Sequence, residues 1–306
     1  MPRRREGNVR KPNLFLVGGP KCGTTSLQEY LSGHPQIFMC TPKEPCYFDK
    51  DLPWPDSPRS EIEYMRLFDG AKSRHRVIGE ASTNYLYSRV AVGNILAFNP
   101  DARFIVMLRN PIDMAMSLHS YSFQELTEDV EDFEAAWRLQ GERRERRCLP
   151  TVNYHPDFVL YGPFCRLGEQ LQRLNSQVDR GRIHVVVFDD LRLDPAGVYR
   201  AVLGFLGLQD DGRKIYPAKN VTGVPRFKVI HRLLAILLAI RQLAPVPRLG
   251  LDVFDRLKRL NIVAGPRRGI SAEFRQELCA YFRPDVELLS ALIDRDLTPW
   301  LQSNSD

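Results

Sequence analysis

The sequence predicts a single doubly wound α/β domain, a parallel sheet with helices on both faces. Three observations lead there. Short apolar runs at 14–17, 77–78, 104–108 and 183–188 have the length and β-branched content of strands buried on both faces. Stretches with a helical period lie between them, so strands and helices alternate along the chain. The first run stops at Gly18 and Gly19, and a helical pattern opens five residues later.

Taken in order, the helices are expected at about 24–32, 113–122, 131–146, 160–175 and 195–206, then at 227–242, 271–282 and 284–294. In "DPAGVYRAVLGFLGL" the local signals are complete: Asp194 as N-cap, Pro195 as first helical residue, Gly207 as the stop. The proline-rich stretch 52–58 is a loop inside the domain, because the strong strand of "RFIVMLRNP" lies beyond it. Residues 1–12 form a basic tail and 13–306 the domain. No internal repeat or low-complexity tract interrupts it.

With 306 residues and 43% apolar content, the chain can bury a sizeable core. A net charge of +6 fits an anionic ligand or substrate and is too weak to imply nucleic acid. The six cysteines show no C-x-x-C pair and no Cys/His cluster with zinc spacing. Free thiols, a cytoplasmic location and no bound metal are therefore expected. The apolar run after the basic tail is too short for a signal-peptide core. The longest apolar block, "LLAILLAI" at 233–240, is flanked by Arg232 and Arg241 and is too short to span a bilayer. A buried helix is preferred there over a membrane-surface helix.

The chemistry concentrates in "NLFLVGGPKCGTTSLQEYL". A strand–loop–helix turn points backbone N–H groups into one small volume, and the helix dipole adds partial positive charge. Gly19, Pro20, Lys21, Cys22, Gly23, Thr24, Thr25 and Ser26 make the loop and helix start, with the hydroxyl residues as caps and phosphate donors. The spacing of Gly18 and Gly23 fits a P-loop, but Thr24 stands where a nucleotide triphosphatase has its lysine. Lys21 lies inside the loop instead, so the anion site shows no metal requirement.

"GGPKCGTTSL" resembles the 5′-phosphosulfate loop of sulfotransferases that use 3′-phosphoadenosine 5′-phosphosulfate (PAPS). "FIVMLRNPIDMAMSLHS" resembles that family's 3′-phosphate element, here Arg109 and Ser117. "VIGEASTNYLYS", "LYGPFCRLGEQLQRL" and "DRDLTPWL" extend the likeness over about residues 13–301, toward bacterial and glycan-type members. The resemblance implies a P-loop-like fold, a PAPS donor, no metal and an acceptor hydroxyl on a carbohydrate, lipid or small metabolite. It implies Lys21 as the group neutralising the leaving oxygen and Glu80 as the general base. Lys43 and Glu44 in "CTPKEPCYF" would line the acceptor cleft, with His119 a further acceptor-side candidate. Arg226, Arg267 and Arg268 are the candidates for closing over the 3′-phosphate. Ala81 replaces a lysine frequent in the heparan-modifying branch. The run Arg143, Arg144, Arg146 and Arg147 reads as a solvated helix face. Two rivals remain: a nucleotide or sugar kinase, and a non-catalytic nucleotide-binding relative. Oligomeric state is not readable.

Overall fold

The computed structural model describes residues 10–217, 223–225, 227–243, 256–257, 260–264 and 269–302. Two compact units emerge. The first comprises Met1–Asn110, Leu167–Lys219 and Glu287–Asp296; the second comprises Pro111–Arg166, Asn220–Val286 and Leu297–Asp306.

The first unit is built on five parallel strands: β1 Leu14–Gly18, β2 Ile37–Met39, β3 Val77–Ala81, β4 Arg103–Leu108 and β5 Ile183–Val187, in the order β2-β3-β1-β4-β5. The strand β1 is buried throughout and sits at the centre, with Phe15 beside Glu80 on one side and Phe104 on the other. Winding leaves β1 in opposite directions on its two flanks. In such sheets ligands gather at the carboxyl ends of the strands around that point. The helix Thr24–Ser32 packs on β1 and β2, and Pro195–Leu206 packs on β5.

The expected strands all form. The run at 77–78 extends to Ala81 because Gly79, Glu80 and Ala81 continue the pairing with β1. The three-residue edge strand β2 carries too little pattern to be seen in sequence. Asp194 caps Gly197 N–H at 2.8 Å, and Gly207 closes the same helix in the left-handed conformation, as expected. Two expected helices break into shorter pieces: 131–146 becomes Phe133–Arg138 and Gln140–Arg144, and 160–175 becomes Tyr161–Phe164 and Leu167–Asn175. The last two instead merge into Ala272–Ile293, which runs through Pro284. Buried Phe282, Val286 and Leu289 on either side of the proline offset the lost backbone bond.

The second unit holds the helix Pro111–Gln124, an aromatic cluster of Phe133, Trp137, Tyr161, Phe274 and Phe282, and the antiparallel pair β6 Gly223–Pro225 and β7 Ile262–Ala264. Two expectations are corrected here. Arg143 is not on a solvated face: it is buried, and both its terminal nitrogens donate to the Glu128 carboxylate at 2.7 Å. Tyr161 donates to the same carboxylate at 2.5 Å, so the buried pair is well satisfied. The apolar block at 233–240 is not a buried helix either. It lies in the helix Lys228–Leu243, where Leu233, Ile236, Leu237 and Ile240 are each more than half exposed.

Gly18 has φ +130°, and a Cβ there would stand 2.3 Å from the Met107 carbonyl oxygen on β4. Gly204 lies inside a helix with open space around it. Gly18→Ala is expected to destabilise by about 2–5 kcal/mol. Gly204→Ala is expected to stabilise by about 0.5–1 kcal/mol. Urea denaturation checks both.

Candidate functional site

The loop after β1 is shaped by three left-handed residues: Gly18, Lys21 with φ 66° and Gly23 with φ 89°. Only glycine takes such angles freely, and a Cβ on Gly23 would also press on the Phe188 ring at 2.9 Å. Gly23 is the helix N-cap and no side chain caps the turn. Thr24, Thr25 and Ser26 therefore stand inside the first helical turn and are not caps, which corrects the sequence expectation. The uncapped turn presents backbone N–H donors and the positive end of the helix dipole.

Arg109 follows β4 and is almost fully buried. Its Nη1 donates to the Lys21 carbonyl oxygen at 2.7 Å, and its guanidinium stacks over Phe188 at 4.7 Å. Arg109 thus holds the loop's backbone and places a fixed cation at its edge. Cys22 is buried, and desolvation pushes its thiol up to about 12, partly offset by Arg109. It stays a neutral thiol, in keeping with a backbone role.

Glu80 lies on β3 and is wholly buried. Oε1 accepts from the Tyr64 hydroxyl at 2.6 Å and the Tyr85 hydroxyl at 3.1 Å; Oε2 accepts from the Ser82 hydroxyl at 2.6 Å. Burial raises its pKa to about 7 even though these three donors lower it. The hydroxyls in turn organise the preceding segment. Tyr85 accepts from the N–H groups of Tyr47 and Phe48, and Ser82 accepts from Cys46 N–H. The geometry weighs against Glu80 as a base acting on an external hydroxyl.

That segment carries the accessible carboxylate. Glu44 has a left-handed φ of 57° and a side chain 37% exposed. Its N–H donates to the Ala81 carbonyl at 2.9 Å. Lys43 Nζ donates to Glu44 Oε1 at 2.6 Å and to Thr24 Oγ1 at 3.3 Å, and Thr83 donates to Glu44 Oε2 at 3.3 Å. One lysine therefore links the carboxylate to the first residue of the loop's helix.

In the second unit, Ser117 is buried on the helix Pro111–Gln124. His119, on the same helix, is buried against Phe133 and Tyr161, with Nε2 2.8 Å from the Val130 carbonyl. Burial lowers its pKa, so it is a satisfied core histidine and not an acceptor-side group. Arg226, Arg267 and Arg268 lie outside the described residues.

Comparison with known proteins places the chain in a family. The sulfotransferase domain family matches residues 11–217. The chain belongs to the sulfotransferase family. Its fold is the P-loop-like α/β fold of that family, and residues 11–217 form its sulfotransferase domain. The chain is 28% identical to a sulfotransferase from Alicyclobacillus acidocaldarius, with a TM-score of 0.72 over 96% of this chain and 100% of that one. It is 26% identical to heparan sulfate glucosamine 3-O-sulfotransferase 3A1 of Mus musculus, over 67% of this chain and 48% of that protein. It is 31% identical to heparan sulfate glucosamine 3-O-sulfotransferase 6 of Homo sapiens, over 66% and 54% respectively. The chain spans about half the length of these two curated relatives.

Sequence reasoning missed Tyr64, Ser82 and Tyr85 as the shell of Glu80. Ser82 and Tyr85 follow it closely in "EASTNY", where hydroxyls two and five residues on were a usable signal; Tyr64 offered none.

Asp49 is a second buried acid in this unit, with neither carboxylate oxygen bonded among the described residues, and burial raises it to about 7 as well. Both acids hold protons more tightly folded than unfolded. The native state therefore binds more protons between the ordinary carboxylate range and pH 7. Stability is fully present below that window and falls as pH rises through it. Each group is expected to contribute a loss on the order of 2–3 kcal/mol between roughly pH 5 and pH 8. Glu80→Gln should remove one share of that slope in denaturant titrations at a series of pH values.

Proposed function

We propose that this chain transfers the sulfuryl group of PAPS to an acceptor hydroxyl with Glu44 as the general base and Glu80 as the residue that positions it. The observation carrying this reading is the contrast between the two carboxylates. Glu44 is accessible and tied through Lys43 to the helix of the anion loop; Glu80 is sealed behind three hydroxyl donors. A base must reach the proton it removes, so accessibility decides between them.

In this reading the acceptor oxygen attacks sulfur in line, forming a new S–O bond as the S–O bond to the phosphate bridge breaks. Glu44 takes the hydroxyl proton. The electron pair of the broken bond leaves on the bridging oxygen. Lys21 and the N–H groups of the loop's helix neutralise that charge, and adenosine 3′,5′-bisphosphate departs. Positioning and preorganised charge supply most of the rate. Gly19, Pro20, Cys22, Gly23, Thr24, Thr25 and Ser26 cradle the 5′-phosphosulfate, while Arg109 serves the 3′-phosphate, the group to which the sequence resemblance also assigns Ser117. The acceptor is a carbohydrate, lipid or small-metabolite hydroxyl. The names of the relatives favour carbohydrate, and Ala81 argues against a heparan-like chain. Six free thiols fit a reducing, cytoplasmic setting.

The test compares two isosteric substitutions. Glu44→Gln should keep the rise in melting temperature caused by adenosine 3′,5′-bisphosphate while turnover falls by about 10²–10⁴-fold. Glu80→Gln keeps an acceptor for both tyrosines, and the Ser82 hydroxyl can turn to accept, so its turnover should stay within about tenfold of wild type when chemistry limits the rate. The reverse ranking would return the base to Glu80. A melting shift with ATP and magnesium equal to that with the bisphosphate would overturn the donor assignment.

Arg109→Ala has a separate signature. In this reading the side chain touches the 3′-phosphate and the Lys21 carbonyl but not the reacting sulfur, so some loss reaches turnover through the loop while its direct ligand contacts change little on reaching the transition state. The Michaelis constant for PAPS should rise more than the turnover number falls. Steady-state kinetics at varied PAPS with saturating acceptor measure both. A collapsed turnover number with an unchanged Michaelis constant would remove Arg109 from the 3′-phosphate.

A further inference from the structure

The helix Lys228–Leu243 presents an apolar face that the fold leaves uncovered. His231 and Leu234 turn inward, and His231 Nε2 stands 2.8 Å from the Phe123 carbonyl with its ring against Phe123. Ile230, Leu233, Leu237 and Ile240, with Ile236 beside them, recur at helical spacing on the adjoining arc and are exposed. The base of this excursion is fixed. The β6–β7 ladder closes it, and the buried Asn261 side chain brackets Phe227, accepting from its N–H at 2.9 Å and donating to its carbonyl at 3.1 Å. The exposed stripe is therefore carried on an anchored element.

Charge identifies what would cover it. The helix contains Lys228, Arg232 and Arg241 and no acidic residue. Residues 228–260 hold seven Lys and Arg against Asp252 and Asp255, a net +5 of the chain's +6. The basic tail 1–12 adds +4, which leaves −3 for all the rest. A second copy of the chain docked face to face on this stripe would set cation against cation. A soluble partner needs a matching acidic rim around an apolar groove. A bilayer rich in anionic lipid meets both features at once, apolar side chains entering the acyl boundary and Lys or Arg meeting headgroups. Among the described residues no helix is long and apolar enough to cross a membrane, so the contact is interfacial.

We propose that the helix Lys228–Leu243 docks this protein in-plane on an anionic membrane surface, with Leu233, Ile236, Leu237 and Ile240 inserted at the headgroup boundary. The stripe belongs to none of the groups assigned to donor binding or proton transfer, so docking and catalysis can be separated experimentally.

Vesicle flotation with the full chain tests this. Wild type should float with phosphatidylcholine vesicles containing phosphatidylglycerol, bind pure phosphatidylcholine weakly, and lose most binding at high salt. Leu233→Glu/Leu237→Glu should lower the vesicle partition coefficient by roughly tenfold or more. Its circular dichroism and melting temperature should match wild type, because both side chains are exposed. A third arm neutralises Arg232 and Arg241 together and should abolish the preference for anionic vesicles. The proposal is overturned if wild type fails to float with anionic vesicles. Binding that the double glutamate variant retains also overturns it. So does concentration-dependent self-association without lipid that the same variant removes, because a second copy would then own the face.

Discussion

The buried Glu80 carboxylate is the constraint on which the first unit's working end depends. An isolated charge in an apolar interior is costly, and it persists only where hydrogen bonds compensate. Here three hydroxyls do so, from Tyr64, Ser82 and Tyr85. Each is also committed elsewhere. Tyr64 stacks on Tyr47, and Tyr85 and Ser82 accept the N–H groups of Tyr47, Phe48 and Cys46. The result is a fixed path from the centre of β3 to residues 46–48. Glu44 and Lys43 sit immediately before that path. Glu44 holds a left-handed backbone angle that a non-glycine residue adopts only when its surroundings enforce it.

The loop after β1 follows the same logic with opposite charge. Its backbone turns on Gly18 and Gly23 because neighbouring atoms leave no room for a Cβ. Its one left-handed side-chain residue, Lys21, has its carbonyl taken by Arg109. A guanidinium that grips the loop's backbone also sets the local potential, so the loop's shape and its positive charge come from one contact. Lys43 then joins the two halves of the site, touching Glu44 on one side and Thr24 on the other.

Much of this was legible in the sequence, and the failures share a cause. The strands β1, β4 and β5 and the helix Pro195–Leu206 were readable because local pattern decides them: continuous apolar runs in one case, cap, proline and glycine in the other. The strand–loop–helix turn at 14–32 and the placement of Arg109 directly after β4 were readable as well. What pattern cannot supply is depth. Glu80 and Glu44 look alike in a string of letters, both polar residues beside a strand end. Tertiary packing seals one and leaves the other open, through Tyr64, which is distant in sequence. Arg143 looked like its arginine neighbours until Glu128 and Tyr161 enclosed it. His119 was drawn into a core by Phe133 and Tyr161. In the opposite direction, the apolar block at 233–240 promised burial and received solvent.

Net charge shows the same limit in another form. A total of +6 suggests a protein built around an anionic ligand, yet the residues outside the tail and the 228–260 segment sum to −3. The proposed donor site therefore does not rely on a diffuse positive field. It relies on a few cations placed by backbone geometry, Arg109 on the loop carbonyl and Lys21 within the loop, and on N–H dipoles that carry no formal charge. Fixed donors of that kind act at short range and need no reorganisation as charge develops. The formal charge that dominates the total is carried in sequence by the tail and by residues 228–260, where long-range attraction to a charged surface rather than shaped recognition is the relevant physics. Two separate uses of positive charge thus share one chain, and only their location in the fold tells them apart.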